Sequence, residues 1–109
     1  MLNIDPKQFG GKIGKHAQDY GLDPSDADDR DKMAEIINDI VDNYDEIRRG
    51  SWPGQGEQLP DGSHGLGEVD FYIKGDDVVI INNGEFVSVL KGGKSNAKII
   101  RAKRGEQND

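Results

Sequence analysis

Val69-Asp70-Phe71-Tyr72-Ile73-Lys74-Gly75-Asp76-Asp77-Val78-Val79-Ile80-Ile81-Asn82-Asn83-Gly84-Glu85-Phe86-Val87-Ser88-Val89-Leu90-Lys91 reads as a meander of three strands. Val69–Lys74 alternates, with Phe71 and Ile73 on one face and Asp70, Tyr72 and Lys74 on the other. Gly75-Asp76 marks a turn. Val78–Ile81 is apolar on both faces, as an interior strand must be. Asn82-Asn83-Gly84 is a hairpin signal, because Asn and Gly tolerate positive φ. Glu85–Lys91 is the return strand, and strict alternation puts Ser88 on the face of Phe86 and Leu90. That serine is then either a site hydroxyl or a buried, satisfied one.

Upstream the period changes from two to 3.6. Met33, Ile36, Ile37, Ile40, Val41 and Tyr44 form one helical stripe. Asp23 as N-cap and Pro24 at the first helical position are expected to start that helix, with Asp26, Asp28 and Asp29 in its first turn. A shorter helix is expected over Lys12–Tyr20, ended by Gly21. Ile47–Gly67 reads as a long irregular connection broken by Gly and Pro, with short strand pieces near Arg48–Trp52. Gly92-Gly93 turns into Asn96–Lys103, a short terminal strand or helix. Helices followed by an antiparallel meander give an α+β domain over 12–104, with 1–11 a linker edge and 105–109 a tail.

The 109 residues suit one domain, but only 33% are apolar and 15 are Gly, so the core is modest. There is no Cys, which excludes disulfides and thiolate metal sites. Nothing resembles a signal peptide or membrane span, since the longest apolar run, Val78–Ile81, has a strand's length. The net charge of -7 argues against general nucleic-acid binding. Its distribution is uneven: acids dominate from Asp19 to Glu46, whereas Phe86–Arg104 carries Lys91, Lys94, Lys98, Arg101, Lys103 and Arg104 and no acid. An acidic outer helix with a basic working face explains this, as do two ordinary solvated surfaces.

The chemistry-bearing stretch is Gly11-Lys12-Ile13-Gly14-Lys15-His16-Ala17-Gln18-Asp19-Tyr20-Gly21. A histidine moves protons near neutral pH, and lysines beside it can stabilise an anion. The alternative is a surface or core-edge histidine, with Lys15 and Asp19 as an ordinary i, i+4 pair. Trp52 either fills the core edge or stacks on a base. His64 falls in the long connection. Two motifs fail on spacing. Asp26 and Asp28 would put Arg30 and Asp31 at positions 5 and 6 of a calcium loop, and no strand precedes the Gly10–Lys15 glycines as a phosphate loop requires.

Four ordered segments resemble the C-terminal tRNase toxin domains of contact-dependent growth inhibition effectors, with the barnase/EndoU/colicin/RelE-like fold. They are Gly14–Pro24, Asp45–Gly50 with Gly54-Gln55-Gly56, Asp70–Val79 and Gly84–Gly93. The resemblance implies a metal-independent ribonuclease, cutting tRNA in the anticodon region and needing no cofactor. It further implies a cognate immunity protein, a host activating factor as helper, and delivery from a secreted surface effector into a target bacterium's cytoplasm. Mapped onto this chain, the catalytic set is His16, Lys15, Arg48, Lys74, Tyr72 and Ser88. The substrate contacts are Lys12, Trp52, Lys91, Asn96, Lys98 and Arg101, and no metal ligand is implied. The chain's acidity departs from what a ribonuclease needs. The competing expectation is a non-enzymatic acidic binding module, of the immunity-protein or antitoxin kind.

Overall fold

The meander supplies three strands of a five-stranded antiparallel sheet. The computed structural model describes residues 16–104, and of Gln55, Lys103 and Arg104 only the backbone. Its elements are α1 (Ala27–Asp42), β1 (Glu46–Gln58), β2 (His64–Lys74), β3 (Asp77–Asn82), β4 (Glu85–Leu90), α2 (Ala97–Arg101) and β5 (Lys103–Arg104). The strand order is β4-β3-β2-β1-β5. The domain is α+β: α1 packs on one sheet face and the short α2 on the other. Among the described residues, no helix is long and apolar enough to cross a membrane.

Two apolar layers follow from the alternation. Met33, Ile37 and Ile40 of α1 meet Val79, Ile81, Phe86 and Val89, together with Ala17. On the far face Val69, Phe71, Ile73, Val78, Ile80 and Val87 pack with Ile99 of α2. β3 feeds both layers, which is why its sequence is apolar throughout. Asn83 (φ 53°) and Gly84 (φ 82°) make the tight β3–β4 turn, a conformation that Asn and Gly adopt at low cost.

Three sequence expectations change. Asp26, not Asp23, caps α1: its side chain accepts from the Asp28 amide at 3.2 Å. Asp23 is consumed by a local turn, accepting from the Ser25 amide and hydroxyl at 2.9 and 2.7 Å. The expected irregular connection over Ile47–Gly67 is a long ribbon instead, with β1 and β2 paired from Glu46↔Ile73 to Gln58↔His64. Its Gly and Pro residues are compatible with that ribbon. Pro53 stands on an outer strand, where a missing amide costs least, and Gly56 lies so close to Leu66 that a Cβ would sit 2.6 Å from its carbonyl oxygen. The third change is in β4, where Ile81 pairs Phe86 but Ile80 pairs Ser88. Val87 is therefore a bulge, and Ser88 faces the α2 side while Phe86 faces α1.

Gly50 shows how closely α2 is seated. A Cβ there would lie 3.0 Å from the Ala102 Cβ and 3.5 Å from the Phe71 ring. Gly50→Val is expected to destabilise the domain by about 1–3 kcal/mol, the usual cost of overpacking. A thermal melt checks this, and an unchanged Tm would contradict the seating of Ala102 on β1.

Candidate functional site

His16 and Ala17 are helical and lead into a 3-10 turn, Gln18–Tyr20, which Gly21 closes at φ 73°. Ala17 is fully buried in the α1-side core, and Tyr20 and Leu22 pack against that core, so this segment lies on the α1 side of the sheet. His16 keeps 20% of its side-chain surface exposed. Its Nδ1 stands 3.4 Å from Asp19 Oδ2, so the carboxylate orients the ring through that nitrogen. One turn on, the Lys91 ammonium lies 5.5 Å above the Tyr20 ring. The Tyr20 hydroxyl is buried near Asp77 but makes no hydrogen bond of good geometry. Burial first, and then the Asp77 charge, raise its pKa well above the ordinary phenol value, so it stays protonated. Asp77 itself accepts from the Gly92 amide at 2.9 Å, tying the Lys91 turn to β3. A histidine oriented by a carboxylate can move a proton, and a lysine held on an aromatic face can stabilise an anion.

The sheet divides the rest of the expected catalytic set. Tyr72 and Lys74 are on the α1 face. The Tyr72 ring meets Tyr44 edge-on at 5.4 Å. Lys74 Nζ lies 2.7 Å from Asp39 Oδ2. That hydrogen bond lowers the Asp39 pKa below its ordinary 3.8 and raises the Lys74 pKa above 10.5. The pair's contribution to folding is therefore lost as pH falls through the depressed Asp39 value, and again as pH rises through the elevated Lys74 value.

Arg48 and Ser88 lie across the sheet, on the α2 face. Arg48 is a structural clamp: Nε and Nη2 donate to the Glu46 carboxylate at 2.9 and 3.1 Å, and Nη1 donates to the Ile99 carbonyl at 3.0 Å. Ser88 is 6% exposed. Neither reaches the His16 side, which corrects the expectation of one cleft holding all six residues. Lys12 and Lys15 lie outside the described residues. Arg48→Met is expected to cost about 1.5–3 kcal/mol, the scale of hydrogen bonds to a charged group. Hydrogen exchange should show α2 loosening first, and unchanged α2 protection would contradict the clamp.

The expected substrate contacts also disperse. Trp52 packs edge-on against Phe71 at 5.8 Å, the core-edge role. Asn96 caps α2, accepting from the Lys98 amide at 2.9 Å. Lys98 and Arg101 are exposed and line a groove of about 360 Å³ with Arg49 and Ser51 of β1 and Leu66 and Glu68 of β2. Lys91 follows β4, three strand positions away, or about 14 Å at the usual spacing. His64 is exposed and bonded within the ribbon, its Nδ1 3.0 Å from the Gly56 carbonyl. Sequence reading missed Tyr20 as the partner of Lys91 and Asp77 as the acceptor of the Gly92 amide. The spacing of His16 and Tyr20 was a signal for the first, while the second depends on tertiary pairing. Among the described residues, no group of three or more His, Asp or Glu is placed to hold a metal ion. No protein-family model, curated protein or solved structure matches this chain.

Proposed function

We propose that this is an antibacterial toxin domain that cleaves tRNA by metal-independent transesterification, with His16 as proton carrier. The observation that carries the reading is the His16–Asp19 pair at 3.4 Å, with Lys91 over the ring of Tyr20, four residues along the chain from His16. RNA supplies its own nucleophile, so the protein needs only proton transfer and charge stabilisation. His16 takes the ribose 2′-OH proton. The 2′-oxygen then bonds to phosphorus, the bond from phosphorus to the 5′-oxygen breaks, that oxygen takes a proton from the imidazolium or from water, and a 2′,3′-cyclic phosphate remains. Lys91 stabilises the negative charge on the phosphorane oxygens. Asp19 and Tyr20 act through others, as positioning residues for the imidazole and the ammonium. The wider biology (a cognate immunity protein, a host activating factor, delivery into the cytoplasm of a target bacterium) rests on the family resemblance of the four segments.

A second reading is a non-enzymatic acidic binding module. It is favoured by the exposed carboxylates along α1, among them Asp28, Asp31, Glu35, Asp39 and Asp42, and by the net charge of -7. Expression of the domain in a bacterial host separates the two. Growth arrest that is relieved by His16→Ala supports the nuclease, whereas tolerated expression of the native chain supports the binding module.

A further inference from the structure

We infer that the open outer edge of β1, beside Lys98 and Arg101, accepts an extended acidic segment of a partner protein as an added strand. Among the described residues, β5 pairs only with Arg48 and Arg49. From Gly50 onward the outer edge of β1 has no strand partner among the described residues. Such an edge presents main-chain donors and acceptors at strand spacing, and Ala102 against Gly50 on one side and Pro53 on the other limit the ready stretch to Ser51 and Trp52. Ala102, which follows α2, sits over Gly50 and walls the near end of this stretch.

Charge selects the occupant. Among the described residues, Lys98 and Arg101 form no ion pair, so two cations face the groove without counterions. The groove's own carboxylate, Glu68, is taken by Arg49 at 3.3 Å, and Arg49 also holds Asp70 at 2.7 Å. The groove thus keeps a net positive demand that an incoming carboxylate fills. Protein fits better than RNA on two counts. The bare strand edge matches a peptide backbone, and the groove's apolar contact is Leu66, 65% exposed, with Ile100 of α2, 61% exposed, close by in sequence to Arg101. The nearby aromatic ring, Trp52, is engaged with Phe71 and not offered for base stacking. The inference stands independently of RNA cleavage, since it uses none of the His16 residues.

Trp52 is the only tryptophan and lies on the strand concerned, so its emission reports occupancy. The probe is a blocked ten-residue peptide of alternating Glu and Val, titrated into the full chain. It should shift Trp52 emission saturably. N-methylation of alternate peptide amides should weaken binding at least about tenfold, because it removes main-chain donors. The double variant K98E/R101E should weaken it by at least about tenfold, through reversed charge. K98Q/R101Q should give a smaller loss, and an unchanged far-UV circular dichroism spectrum serves as the folding control. Absence of saturable binding would overturn the inference. So would binding indifferent to N-methylation and to charge reversal, or an oligouridine that produces the same Trp52 response at lower concentration.

Discussion

Phe71→Ala is expected to lower the unfolding free energy by about 3–5 kcal/mol, the range for truncating a buried aromatic. Phe71 is fully buried in β2, paired between Arg48 of β1 and Ile80 of β3. Its ring is contacted edge-on by Trp52 at 5.8 Å and closes the α2-side layer beneath Gly50. Neighbouring backbone belongs to paired strands, so the cavity cannot readily collapse. Small domains hold only about 5–15 kcal/mol in total, so this one change removes a large share. Urea denaturation followed by Trp52 emission measures it. A loss under about 1 kcal/mol would mean that the α2-side layer is not a true core.

His16→Ala is the second large effect. Its expected result is RNA cleavage reduced at least about a hundredfold, the scale of a lost proton-transfer group, with the urea midpoint little changed. The imidazole is partly exposed, and its one described polar contact is Asp19 at 3.4 Å, so truncation leaves the buried Ala17 and Tyr20 packing intact. Asp19→Asn should reduce cleavage less while altering its pH profile, because it changes the group that orients the ring. Equal cleavage by His16→Ala and the native chain would remove His16 from the mechanism.

The α1 stripe and the β2–β4 meander were legible because each rests on local periodicity. Met33, Ile37 and Ile40 are buried together as the helical spacing requires, and Asn83-Gly84 makes the turn its φ angles favour. The β1–β2 ribbon was not legible, because Pro53, Gly54 and Gly56 mimic a loop locally, and only the partner strand supplies the main-chain pairing that outweighs them. The face of Ser88 was misread for one reason: the Val87 bulge inserts a residue that alternation does not count. The cap of α1 moved because Asp23 and Asp26 are chemically equal candidates, and Ser25 decides between them by binding Asp23.

In the candidate site, residue type singles out His16 and Lys91, while their contacts with Asp19 and Tyr20 come from the fold. Residue type identified Arg48 as a cation, but not that Glu46 and the Ile99 carbonyl occupy all three of its nitrogens. Likewise Lys74 was placed on the correct face, while its pairing with Asp39, 35 positions away, is a tertiary fact. A linear reading gathers charged residues into one cleft because it cannot see the sheet that stands between them.

The central claim is tested most directly by incubating the purified domain with total bacterial tRNA in EDTA and mapping the fragment ends. Discrete cuts ending in 2′,3′-cyclic phosphate, absent with His16→Ala, are the predicted result. Intact tRNA, both alone and after addition of bacterial extract to supply a host factor, would contradict it and leave the acidic binding module as the function.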